Sequence, residues 1–164
     1  SYDVAGTLKA AEILQREGVP LLVHQPAYSL LTRDIEHGLL DALEKIGAGC
    51  VVFSPLAQGL LTDKYLNGVP EESRAAKSRY LDKGALTPAL LTVVRELNDL
   101  ARARGQSLAQ MAIAWTLRDR RVTSAIAGAR TVAQLDETLD AFKNATFSAE
   151  ELARIDRSLP ALEG

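Results

Sequence analysis

This sequence is poor in the residues that staple, coordinate or span. A single cysteine, Cys50, stands at the start of an apolar run, so no disulfide can form within the chain and a buried structural thiol is its expected role. That usage suits a reducing, cytoplasmic compartment. The two histidines, His24 and His37, have no cysteine or carboxylate at metal-ligand spacing. No signal peptide is legible, and no apolar run is long enough to cross a bilayer. The formal net charge is only -2, with both signs spread along the chain, which argues against nucleic acid or an anionic membrane as the main partner. No G-x-G-x-x-G opens a helix, and neither a P-loop nor a G-x-S-x-G elbow occurs. Gly47-Ala48-Gly49 leads into a strand, the wrong context for a dinucleotide turn. The first residue is Ser1 and not methionine, which predicts a piece of something longer.

What is present is a globular composition. The chain has 164 residues, 47% of them hydrophobic, enough for one domain with a real core and no internal boundary. Asp3 is placed to cap a helix that runs through Ala10, Ile13 and Leu14 and stops at Gly18. Leu21 to Gln25 reads as a strand buried on both faces and ended by Pro26. A short helix over Gly38–Ile46 and a strand over Cys50–Phe53 follow. A long polar segment, Asp63–Gly84, carries Arg74, Lys77 and Arg79 and reads as a functional loop. Thr87-Pro88 opens a helix lined by Leu90, Val94, Leu97 and Ala101. Ser107 to Gln110, Thr131 to Gln134 and Ser148 to Glu151 have the spacing of capping boxes for three more helices. The stripe Leu108, Met111, Ala112 and Trp115 is expected in the core. Val122–Ile126 reads as a third strand, and the helix after Thr131 runs through Leu135 and Leu139 to Phe142. Apolar strands alternating with helices predict parallel βα units. A (β/α)8 barrel needs eight such strands, and three leave unpaired edges.

Ligands in such sheets sit at the C-terminal strand ends, here His24-Gln25, Phe53-Ser54 and Ala127-Gly128. The Gln25 amide donates and accepts at once. His24 would point the other way, into the helices. Phe53 offers a flat apolar face, although a core aromatic is the simpler reading of it. Ser54–Gly59 is a small-residue loop whose backbone can approach a ligand, and Lys64 can meet a phosphate. Gly128-Ala129-Arg130 ahead of a capped helix is more specific, since free N–H groups and a guanidinium both suit a phosphate. Gln134, Glu137 and Thr138 follow one turn on.

Three phrases, HQPAYSLL, FSPLAQGLLTDKYLNGVPEESR and IAGARTVAQLDETL, resemble the C-terminal half of the aldo-keto reductases. The branch is the one that includes bacterial glyceraldehyde-3-phosphate reductases and potassium-channel beta subunits. The resemblance covers essentially the whole chain. It implies an α/β fold, the C-terminal part of a TIM barrel with about three parallel strands, binding NADPH without a Rossmann fold. It implies that Gln25 holds the nicotinamide carboxamide and that Phe53 stacks on the ring. Ser54, Pro55, Leu56, Ala57 and Gln58 would surround the pyrophosphate, with Lys64 and Arg74 as cations. Gly128, Arg130, Gln134 and Glu137 would hold the adenosine and its 2′-phosphate. Thr138 departs from an asparagine usual in the family. Ser1 matches one residue of a polar pair near the carboxamide. None of the 164 residues matches the family's catalytic Asp, Tyr, Lys and His, and Tyr28 belongs to the Gln25 loop. The expectation is therefore a reductase of small aldehydes or ketones whose catalytic acid lies in a missing N-terminal half. The chain alone would be inactive and prone to aggregate, and homo-oligomerisation is left open. The alternative is a non-catalytic NADPH-binding subunit.

Overall fold

The computed structural model describes residues 3–66 and 87–159. Ser1, Arg74, Lys77, Arg79 and most of the long polar segment lie outside them. Six α-helices are present among the described residues, and the capping signals place most of their starts. Helix α1, Val4–Arg16, begins where the Asp3 carboxylate accepts the Gly6 N–H at 2.5 Å. Helix α2, Leu39–Ile46, is closed by Gly47 at φ +72°, a conformation that glycine adopts without steric cost. The Thr87 hydroxyl caps α3, Pro88–Ala103, by accepting from Leu90 N at 3.1 Å. Full capping boxes start α4, Leu108–Thr116, and α6, Ala149–Ser158. Each such cap stabilises its helix by about 1 kcal/mol.

Helix α5, Val132–Asp140, departs from expectation at both ends. Thr131 does cap it, accepting from Gln134 N at 3.2 Å. The Gln134 carbonyl, however, accepts from Arg130 N at 2.9 Å and not from Thr131 N, so no capping box forms. The helix stops at Asp140, and Ala141–Asn144 tightens into a 3-10 turn.

Strands β1 (Val23–His24), β2 (Gly49–Phe53) and β3 (Ser124–Ile126) form an open parallel sheet in the order β1-β2-β3. Val23 pairs with Gly49, and Val51 pairs with Ser124. This is an α/β architecture consistent with part of a barrel. The first strand corrects the sequence reading, which had it buried on both faces. It is two residues long, and Val23 is 51% exposed while His24 is buried, because Val23 lies on the sheet face that also carries the exposed Phe53 and only the other face is packed against the core. Pro26 breaks the ladder for one rung, having no N–H to give, but pairing resumes beyond it. Its carbonyl accepts from Phe53 N at 3.0 Å, and Tyr28 N donates to Phe53 O at 3.1 Å. The third strand starts at Ser124 and not at Val122, because Val122 N is used in a turn to Asp119 O.

Alternation along β2 sorts the two faces. Cys50 and Val52 point into a core shared with Leu43, Leu97, Met111 and Trp115. Phe53 and Ile126, paired across the sheet, lie on the opposite face and are 38% and 49% exposed. Beside the core, Trp115 carries two guanidiniums, Arg118 at 3.6 Å and Arg33 at 5.1 Å from the ring centroid. Both arginines, and the Tyr28 hydroxyl, donate to the Glu36 carboxylate. The apolar stripe of α5 and its continuation, Val132, Leu135, Leu139 and Phe142, is exposed among the described residues.

Candidate functional site

The C-terminal ends of β2 and β3 open into one groove of about 860 Å³, a size typical of small-molecule sites. Ten of the residues singled out in the sequence line it. Ser54, Pro55, Leu56, Gln58 and Lys64 come from the loop after β2. Gly128, Arg130, Gln134, Glu137 and Thr138 come from the loop after β3 and the start of α5. Gln25 and Phe53 do not line this groove. They stand exposed at neighbouring strand ends, while His24 is buried on the helix side, as the alternation required. Phe53 is thus not a core aromatic. Ala57 is half-buried and packs against the core, and Arg74 lies outside the described residues.

The loop after β2 holds an unusual backbone. Ser54, Ala57 and Gln58 have φ of +59°, +45° and +59°, in the left-handed region that costs a non-glycine residue about 1–2 kcal/mol. Its own hydrogen bonds maintain this shape. Ala57 N donates to Ser54 O, Gly59 N to Leu56 O, Leu60 N to Ala57 O and Leu61 N to Leu56 O. The Thr62 hydroxyl closes the turn on Gly59 O at 2.7 Å. Of the five N–H groups of Ser54–Gly59, those of Ala57 and Gly59 are spent inside the loop, which narrows the expectation that its backbone meets a ligand. The side chains of Gln58 and Lys64 remain on the groove side.

At the second loop the Arg130 N–H is likewise taken, by Gln134, so it is the guanidinium of Arg130 that is left exposed. Glu137 accepts from the Ser107 hydroxyl at 2.7 Å, which ties α5 to the start of α4. The Thr138 hydroxyl is turned back onto Gln134 O at 2.9 Å. Three cations from three elements, Lys64, Arg102 and Arg130, meet Asp63 and Glu137 around the groove. Three cations against two carboxylates leave a balance that favours an anionic ligand.

Sequence reasoning missed the wall formed by Asn98, Arg102 and Gln106. The signal was present: Asn98 and Arg102 continue the column of Val94 at helical spacing, where an apolar residue would be expected in a core stripe. Gln106 has a structural task, donating to Asn144 O at 3.1 Å and accepting from Arg104 at 2.9 Å.

Other candidate chemical groups are closed off. Tyr28 is fully buried, and burial together with its bond to Glu36 pushes its phenol well above the ordinary range. Burial pushes the Cys50 thiol up to about 11, which fits a structural role. Burial lowers the pKa of His24, whose Nε2 has no hydrogen-bond partner among the described residues. Among those residues no three His, Cys, Asp or Glu side chains gather as a metal site, and no helix is long and apolar enough to cross a membrane.

Known proteins bear on this arrangement. The sequence profile of the Aldo/keto reductase family matches residues 1–160. L-glyceraldehyde 3-phosphate reductases of Escherichia coli O157:H7 and of Escherichia coli strain K12 are 51% and 50% identical over 164 residues, 97% of this chain and 47% of each relative. A putative voltage-gated potassium channel subunit beta of Schizosaccharomyces pombe is 38% identical over 141 residues, 82% of this chain and 41% of that protein. The chain spans about half the length of the curated relatives it matches.

Proposed function

This chain belongs to the aldo/keto reductase family, and from that premise we propose that the complete protein is an NADPH-dependent oxidoreductase that reduces aldehydes or ketones. The observation that carries the reading is the convergence of two strand-end loops, far apart in sequence, on one cationic groove. The groove suits the cofactor in volume and in donor set: about 860 Å³ can take much of a dinucleotide, and charges on several walls suit several phosphates. Bound there, NADPH supplies the hydride.

The chain's own residues bind and orient. Lys64 and the Ser54–Gln58 loop take the pyrophosphate, with Arg74 as a further cation. Gly128, Arg130, Gln134 and Glu137 take the adenosine and its 2′-phosphate. Phe53, exposed at the end of β2, offers its ring face to the nicotinamide, and Gln25 offers an amide to the carboxamide. Tyr28 is not the proton donor to the carbonyl oxygen, since its hydroxyl is held in the Glu36 cluster; as the family resemblance implies, that role falls to another part of the complete protein. A second reading, an NADPH-binding subunit without turnover, is favoured by the relatives named as potassium channel subunits. Carbonyl-dependent NADPH consumption by the complete protein discriminates between the two.

The phosphate assignment is tested by titrating the complete protein with NADPH and NADH, before and after Arg130→Ala. Loss of a charge-assisted contact should weaken NADPH about 10- to 100-fold and leave NADH nearly unchanged. Equal losses for the two cofactors reject the assignment.

A further inference from the structure

The groove has a wall that neither strand-end loop supplies. Asn98 and Arg102, one turn apart on α3, both line it. Asn98 is only 8% exposed, and its amide makes no hydrogen bond among the described residues. Its neighbours Val94, Leu97 and Ala101 are buried and apolar, so packing alone does not call for an amide here. The amide therefore opens onto the groove, where a ligand with a matching edge can pair with it. Across the groove the Thr138 hydroxyl has given its proton to Gln134 O, so it can accept from such an edge but cannot also donate to it, as an amide can. Leu108 and Ile113 supply apolar surface in the same groove. Arg102 is exposed and forms no ion pair among the described residues.

We propose that α3 is a nucleotide-reading wall, in which the Asn98 amide pairs with the polar edge of the adenine and Arg102 takes a phosphate of the same dinucleotide. An asparagine amide presents a donor and an acceptor side by side. Adenine presents the complementary pair, an exocyclic amino group beside a ring nitrogen. The apolar lining suits the faces of a flat heterocycle, and Arg102 adds a forked donor suited to phosphate oxygens. This inference rests on the NADPH reading of the groove and adds to it a determinant of which base is accepted.

The test measures dissociation constants in the complete protein by nicotinamide fluorescence, with NADPH, NADH and the reduced hypoxanthine analogue of NADPH, in which an oxo group replaces the amino group. The wild type should prefer NADPH over the hypoxanthine analogue by about 10-fold, the value of one hydrogen bond. Asn98→Ala should bind the two alike. Arg102→Ala should weaken NADPH about 10-fold; a loss confined to NADPH assigns the 2′-phosphate, and an equal loss for NADH assigns the pyrophosphate. If either variant binds as the wild type does, the proposal falls. Should Asn98→Ala fail to fold, Arg102→Ala, at an exposed position, decides alone. Lys64→Ala and Arg130→Ala separate the two levels: weakening there with none at α3 removes only this wall, whereas a wild type that binds no NADPH removes the whole reading.

Discussion

Replacing Glu36 should destabilise the fold more than its place in a single 3-10 turn, Asp34–Glu36, suggests. Its carboxylate accepts from the Tyr28 hydroxyl at 2.5 Å, from Arg33 at 2.6 and 3.0 Å, and from Arg118 at 2.9 Å. The side chains of Glu36, Arg33 and Arg118 are each less than a third exposed. Glu36→Ala leaves two guanidiniums and a buried phenol without that acceptor. Breaking a fully buried pair from one side costs about 3–5 kcal/mol, and partial solvation reduces this to about 2–4 kcal/mol. At roughly 2–4 °C per kcal/mol for a chain of this size, the melting temperature should fall by roughly 4–16 °C. Glu36→Gln keeps one acceptor and should lose about half as much. Urea denaturation followed by Trp115 emission is the natural assay, because Trp115 is the chain's only tryptophan and both guanidiniums lie over its ring. The effect must also depend on pH. Burial pushes the Glu36 carboxyl up, but hydrogen bonds from Arg33, Tyr28 and Arg118 outweigh it and hold it below the ordinary value of 4.5. With a depressed folded pKa, the stabilisation is full above that ordinary value and is lost as pH falls through the lower folded value. The gap between wild type and Glu36→Gln should therefore close in acid. A Glu36→Ala variant within about 0.5 kcal/mol of wild type at neutral pH, or a gap that stays constant into acid, refutes the reasoning.

Two further outcomes follow from local geometry. Ala57→Gly should stabilise the chain by about 1 kcal/mol, because Ala57 sits at φ +45° and glycine relieves that strain; a lower denaturation midpoint would show that the left-handed assignment is wrong. Cys50 is fully buried with its thiol pushed up to about 11, so it should react with a thiol reagent only at the rate at which the protein opens. Rapid labelling of the native protein at neutral pH would contradict that.

The parts of the fold legible in sequence are those decided within a few residues. Asp3, Thr87, Ser107 and Ser148 cap helices because a side-chain oxygen three residues ahead of a free N–H meets it wherever the helix lies. The parts that were not legible depend on what lies across space. Leu22 and Val23 have the composition of a buried strand, yet burial is set by neighbours, and none covers that side among the described residues. Gln134 had the spacing of a capping box, but its side-chain oxygen accepts from Arg130 N, one residue further back, although the identical side chain of Gln110 closes its box, so the outcome is set by the loop ahead of the helix. The groove's two loops stood out because small residues and a cation follow apolar strands. Asn98 and Arg102 carried a fainter signal, a break in the apolar column of Val94, which shows that the stripe ends there but not what it faces.

The pairing of the three strands also sets an order in time. Between Val23 and Gly49, which pair across β1 and β2, runs a short crossover with one α-helix. Val51 and Ser124, which join β2 to β3, are nearly three times further apart along the chain. The entropy of closing a loop grows with its length, by about 0.6 kcal/mol per doubling, so β1 and β2 should register first and β3 should dock onto them late. The groove spans that later seam, with one bank on each side. A ligand that bridges the loops after β2 and β3 would then act as a clasp on the last step of assembly, slowing the chain's undoing more than it speeds its formation.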